Sequence, residues 1–451
     1  MSKPTKSVPV AGSVVAPRGF RAAGVFCDIK RLGTGKGSDK GAKPDLALIV
    51  SDVPAAVAGM FTTNQVCAAP VKLCVPRVRT GTAQAVVVNS GNANACTGPQ
   101  GFRDAQIMAR ETARRCGLEE GAVLVGSTGR IGVPLPMPNI RRGIGMAAAG
   151  LGSTPAHADQ AAEAILTSDT RAKQVAREFS LGGRPVRLGG ICKGAGMIQP
   201  GMSANGSRPA AGSGGLHATM LAFLTCDAAV VPPLLQAMLA EAVARSFNRI
   251  TVDGDMSTND TVLLLANGLA GNPVLRLNSR QPERRRDREV LQEALNGVCL
   301  ELAKMIVRDG EGISRVVTVR VSGARTDAEA ELAARAVGNS ALVKTSWHGG
   351  DPNWGRIMDA LGYSAARVEE GRVDIAYSAP GQRARLFSLK QGRPTRTSFE
   401  TLCAAVAPTE FELHINLNLG RGRTVLYAAD LTEAYVDFNK GNVNDPASLG
   451  G

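Results

Sequence analysis

Short apolar runs of strand length, each closed off by turn formers, constrain this 451-residue chain most strongly. "LALIV" (46–50), "AVVVN" (85–89) and "AVLVG" (122–126) are bounded by Gly, Asn, Ser or Asp, the pattern of strands buried on both faces of a sheet covered by helices. Between and after them, "DAQIMARETARRC" (104–116) and "MPNIRRGIGMAAAGL" (137–151) carry helical spacing. From Asp287 to Val307 the residues Leu291, Leu295, Val298, Leu302 and Ile306 recur every three or four positions and give one apolar helical face. "TMLAFLTCDAAVV" (219–231) is a further strand-length run; Pro232 and Pro233 stop it, and a helical pattern follows. The order is mixed α/β.

Apolar residues make up 44% of the chain but aromatics only 4%, against 52 glycines. The core must therefore be built from Ala, Val, Leu and Ile, with many close backbone approaches. The net charge is +13, and the excess lies before Thr219: residues 1–218 carry 26 Lys and Arg against 12 Asp and Glu, leaving 26 against 27 for the rest. Only Arg284, Arg285 and Arg286 form a dense basic run, without interleaved aromatics. This argues against nucleic acid as a partner and fits a solvated helix start, in a field that mildly attracts anionic metabolites. Nine cysteines stand singly without a C-x-x-C pair, as reduced, packed cysteines do. No apolar leader and no uncharged stretch of spanning length is present, so the expectation is a cytoplasmic protein that does not enter a membrane.

Several motifs read as ordinary turns. "GTGKGSDKG" lacks the Ser or Thr that a phosphate loop needs after its lysine. "DGDMSTND" (253–260) has alternating carboxylates but Thr258 where a calcium loop needs glycine. The four histidines at 157, 217, 348 and 414 have no metal-ligand spacing, so no metal site is expected. With no G-x-S-x-G elbow in the chain, an N-terminal threonine is another available nucleophile, because its own α-amine serves as base. An internal threonine gains that amine only if the chain is cut before it. Thr219 sits where "SANGSRPAAGSGG", a stretch expected to be a flexible surface loop over 202–216, meets the buried run.

"ICKGAGMIQPGM" followed by "HATMLAFLTCDA" resembles the self-cleavage region of the ornithine acetyltransferase family, the bifunctional glutamate N-acetyltransferases of arginine biosynthesis. The similarity runs from about Gly24 to Asn439 through "VVVNSGNANACTG", "GSTGRIGVPLPM", "AILTSDT", "FNRITVDGDMSTNDTVLL", "VRDGEGISR", "VKTSWHGGDPNWGRIMDALGYS" and "ADLTEAYVDFN". It implies a layered α-β-β-α sandwich of the N-terminal-nucleophile type with a smaller C-terminal α/β part from about residue 310. It also implies self-cleavage between Ala218 and Thr219 into an α chain (1–218) and a β chain (219–451), two of each per assembly. Thr219 would then carry acetyl from N-acetylornithine to glutamate, with Thr128 and Gly129 as oxyanion donors. Thr167, Lys193, Thr219, Glu311 and Asn439 match substrate-binding positions. Asn444 stands where the family usually has Thr or Ser. No coenzyme is needed for this transfer, and acetyl-coenzyme A is a possible second acetyl donor. The chain departs from the family in a loop about 15 residues longer before Thr219 and in His217, where methionine is usual. Two rival readings remain: an N-terminal-nucleophile aminopeptidase or amidase, and an unprocessed, inactive binding homologue.

Overall fold

The computed structural model describes residues 7–30, 43–207, 220–278 and 281–440. The expected cleavage pair Ala218 and Thr219, His217, the "GTGKGSDKG" glycine run, most of the 202–216 loop and Asn444 lie outside the described residues.

A nine-stranded sheet contains β1 (Val8–Pro9), β2 (Phe20–Val25), β3 (Leu46–Phe61), β4 (Thr82–Asn92), β5 (Val123–Arg130), β6 (Lys173–Leu181), β7 (Arg184–Lys193), β8 (Leu221–Cys226) and β10 (Thr261–Ala266). Its spatial order is β1-β6-β7-β8-β10-β3-β4-β5, with β2 also paired to β3. The apolar runs read from sequence are the hearts of β3, β4, β5 and β8. Strand β3 continues well past "LALIV" because Pro54, which cannot donate to a ladder, falls where the β3–β4 register is broken between Val50 and Ala55.

Alternate residues of β8 and β10 serve different cores. Leu221, Phe223, Leu263 and Leu265 join one cluster, whereas Ala222, Leu224, Val262 and Leu264 join the other. Helices α1 (Ala69–Val78), α2 (Gly98–Cys116), α3 (Met137–Ala149) and α4 (Pro155–Ala164) cover the first face. The second is covered by α5 (Pro232–Arg245), whose two prolines occupy its opening positions, and by α6 (Pro282–Val307). Leu291, Leu295, Val298, Leu302 and Ile306 of α6 are all buried there, as their spacing requires.

A seven-stranded sheet runs β14 (Arg393–Pro394), β13 (Leu386–Lys390), β12 (Asp374–Ser378), β15 (Glu410–Asn416), β11 (Val316–Ala324), β16 (Gly422–Ala429) and β9 (Ile250–Thr251). Helices α7 (Asp327–Asn339), α8 (Ala341–His348), α9 (Trp354–Gly362) and α10 (Phe399–Val406) pack against it, and α11 (Glu433–Asn439) closes the described chain. The fold is thus mixed α/β with two sheets. Helix α6 contacts both of them. The C-terminal unit is not cut cleanly near residue 310, because β9 is contributed by residues 250–251 and pairs with β16. No helix among the described residues is long and apolar enough to cross a membrane.

Candidate active site

The end of β5 carries the first group of expected site residues. Its parallel register with β4 sets Thr128 beside Ser90 and Gly129 beside Gly91. Thr128 is 1% exposed, and its hydroxyl has no hydrogen-bond partner among the described residues. A buried hydroxyl left this way costs about 1–3 kcal/mol, so a donor without a partner at a strand end is ready for an incoming acceptor. Gly129 has φ +129°, and a Cβ there would overlap the backbone of Gly91 and lie 2.6 Å from the Asn92 nitrogen. No side chain fits at position 129, because the β4 backbone at Gly91 and Asn92 already packs against it.

Two residues that the sequence reading left inside a turn connect this strand end to the segment after the expected cut. Asn259 Nδ2 donates to the Ser127 carbonyl at 2.8 Å and to the Ala93 carbonyl at 2.6 Å. The next residue, Asp260, accepts from the Met220 N–H through Oδ1 at 2.6 Å, and Thr261 N donates to the Met220 carbonyl at 3.1 Å. The "DGDMSTND" segment is otherwise the structural turn expected of it, with Asp253 accepting from the N–H groups of Met197, Ile198 and Asp255. The start of the loop after "QPGM" is not free, contrary to the expectation of flexibility from residue 202. Met202 and Asn248 exchange two hydrogen bonds, and Ser203 forms a two-way bridge with Phe61. These tertiary hydrogen bonds override the local Ser and Gly composition.

The second group gathers around the turn "KGAG" at 193–196. Lys193 ends β7 opposite Leu221 of β8, and its side chain is 2% exposed. Its ammonium lies 3.6 Å from Asp169 Oδ2, and the same oxygen accepts from the Thr167 N–H at 3.1 Å. The Glu311 N–H donates to the Ala195 carbonyl at 3.0 Å, and a Cβ on Gly196 would collide with the Glu311 carboxylate. Asn439 Nδ2 donates to Glu311 Oε2 at 3.0 Å. Thr167, Lys193, Glu311 and Asn439, more than 270 positions apart at the extremes, are therefore one connected cluster. Burial alone would raise the Asp169 pKa, but Lys193 and Lys173 hold it far below the ordinary carboxylate range. Nothing in the spacing of Asp169, Lys173 and Asp309 marks them as site residues, and Asn259 and Asp260 read only as part of the "DGDMSTND" turn.

A buried hydroxyl without a partner among the described residues at the end of β5, and a buried cation linked to a partly exposed carboxylate beside the start of β8, are groups of the kind that acyl transfer to or from an amino acid uses. Residues 21–441 match the family model described as the ArgJ family. The chain belongs to the ArgJ family. An ArgJ relative from Symbiobacterium thermophilum, named arginine biosynthesis bifunctional protein ArgJ, is 46% identical over 95% of this chain and 98% of its own length. One of the same name from Geobacter sulfurreducens is 47% identical over 94% and 98%. A solved ArgJ chain from Bacillus halodurans is 37% identical, with a TM-score of 0.41, over 45% of this chain and 100% of its own.

Proposed function

We propose that this protein is an acetyltransferase of arginine biosynthesis that cuts itself between Ala218 and Thr219 and moves acetyl from N-acetylornithine to glutamate through Thr219. The observation that carries the reading is the unpartnered, buried Thr128 hydroxyl beside the side-chain-free backbone of Gly129, tied through Asn259 and Asp260 to Met220. Family membership, with relatives named for arginine biosynthesis, supports the substrate class.

The Thr219 hydroxyl attacks the acetyl carbonyl carbon while the N-terminal amine takes its proton. Thr128 and the Gly129 N–H stabilise the oxyanion, ornithine leaves with the proton, and an acetyl-Thr219 ester remains. The amine of glutamate then attacks the ester and regenerates the hydroxyl. Lys193 and the Thr167 hydroxyl hold the α-carboxylate, whereas Glu311, oriented by Asn439, faces the ammonium end. We also assign a substrate-binding role to Asn444, on the family resemblance alone. We propose acetyl-coenzyme A as a second acetyl donor, with no bound coenzyme needed for the first reaction. We further assign two α and two β chains to the assembly, working in the cytoplasm, a state that native mass measurement and cell fractionation check.

The test is incubation with N-acetylornithine, with and without glutamate. N-acetylglutamate should form only when both are present. Acetate released without N-acetylglutamate would make the protein a hydrolase.

A further inference from the structure

Four charged side chains are sealed together beneath the "KGAG" turn. Lys173 Nζ donates to Asp169 Oδ1 at 2.6 Å and to Asp309 Oδ2 at 2.5 Å, and all three side chains are 0–3% exposed. Asp169 also accepts from Gly194 N–H at 2.7 Å and Thr167 N–H at 3.1 Å, and it faces Lys193 at 3.6 Å. Asp309 accepts further from the N–H and the hydroxyl of Thr170. Burying such a network is expensive, and well-packed apolar residues of the same volume commonly serve stability as well or better. Such a network is therefore weak evidence of a stabilising role, and its connections point to another. Every member except Asp309 precedes the expected cut, and Asp309 lies two residues before Glu311. Lys173 thus ties the segment bearing Thr167 and Lys193 to the segment bearing Glu311.

The 3.6 Å separation is informative too. Lys193 faces Asp169 across that gap, yet among the described residues its ammonium donates no hydrogen bond. Its N–H groups stay available for a carboxylate.

Resting on the acetyl-transfer reading above, we infer that Asp169 and Lys173 are positioning residues: Asp169 aims Lys193 and the Thr167 backbone at the substrate carboxylate, and Lys173 clamps that half of the pocket to the Glu311 half. Contacts to a substrate carboxylate are made equally in ground and transition states, so loosening the clamp raises KM and leaves kcat nearly unchanged.

Asp169→Asn, Lys173→Met and Lys173→Arg are to be compared with the wild type by kcat and KM for N-acetylornithine and for glutamate, on protein shown folded by circular dichroism. The expected result is a KM about tenfold or more higher for both substrates in Asp169→Asn and Lys173→Met, kcat within about threefold, and partial recovery of KM in Lys173→Arg. Wild-type KM values in folded Asp169→Asn or Lys173→Met, or a loss confined to kcat, would overturn the clamp. If neither variant folds, Thr170→Val, which deletes only the hydroxyl bond to Asp309, carries the test: a raised KM supports the clamp and an unchanged one overturns it. A wild type that forms no N-acetylglutamate would instead sink the transfer reading. The clamp is then read from the Kd of glutamate and ornithine, wild type against Asp169→Asn: weaker binding to the variant supports it and equal binding overturns it.

Discussion

Replacing Thr128 with valine separates folding from chemistry, because the two effects have opposite signs. The side chain keeps its volume and β-branching, so β5 should hold its shape. What disappears is a buried hydroxyl with no partner among the described residues, whose desolvation costs about 1–3 kcal/mol. Thr128→Val should therefore be no less stable than the wild type, and up to about 1 kcal/mol more stable. If the hydroxyl receives the developing oxyanion, its loss should slow acetyl transfer about 10²- to 10³-fold, about 2.7–4 kcal/mol of transition-state stabilisation, with residual activity from the Gly129 N–H. Thr112 supplies the control. It lies on α2, fully buried, and its hydroxyl too has no partner among the described residues. Thr112→Val should match Thr128→Val in thermal unfolding yet transfer acetyl at the wild-type rate. Wild-type turnover in Thr128→Val, or an equal loss in both variants, would refute the oxyanion assignment.

Gly129→Ala places a Cβ against Gly91 and Asn92 at a φ that L-residues avoid; it should cost about 1–3 kcal/mol, read as a lower unfolding midpoint, together with transfer activity, and a variant as stable and active as the wild type would remove the close-approach argument. Burial, and then Arg385, lowers the His414 pKa to about 4 from 6.5. Between those values the unfolded chain binds a proton that the folded one refuses, so stability falls as pH drops through that window. His414→Gln should flatten the fall in unfolding midpoint between pH 6.5 and 4, and an identical slope in both proteins would contradict the assignment. Thr219→Ala should leave one uncut, inactive chain on a denaturing gel, whereas a cleaved or active variant would exclude Thr219 as nucleophile.

The strand hearts and α6 were legible in the sequence because their burial is periodic and local: Leu291 to Ile306 announce one apolar face, and "LALIV" announces a buried strand. The extension of β3 was not, since Pro54 locally argues against a strand and only a register break against β4 accommodates it. Of the site, Thr128, Gly129, Thr167, Lys193, Glu311 and Asn439 could be named from motif resemblance, but no spacing rule says that the last four lie together or that the end of β5 is tied to Met220. Those ties depend on pairs such as Lys173 with Asp309 and Met220 with Asp260, 136 and 40 positions apart. A lone Asp or Lys in a sequence looks like solvated surface until the fold buries it with its partner. Composition misled at Met202 and Ser203, where tertiary hydrogen bonds hold a segment that reads as loose.

Intact-mass spectrometry of the purified protein after brief exposure to N-acetylornithine tests the central claim most directly. The account predicts two chains divided between Ala218 and Thr219, with the mass of one acetyl group added to the chain that begins at Thr219 and removed again by glutamate. A single uncut chain, or two chains neither of which gains acetyl, would contradict it.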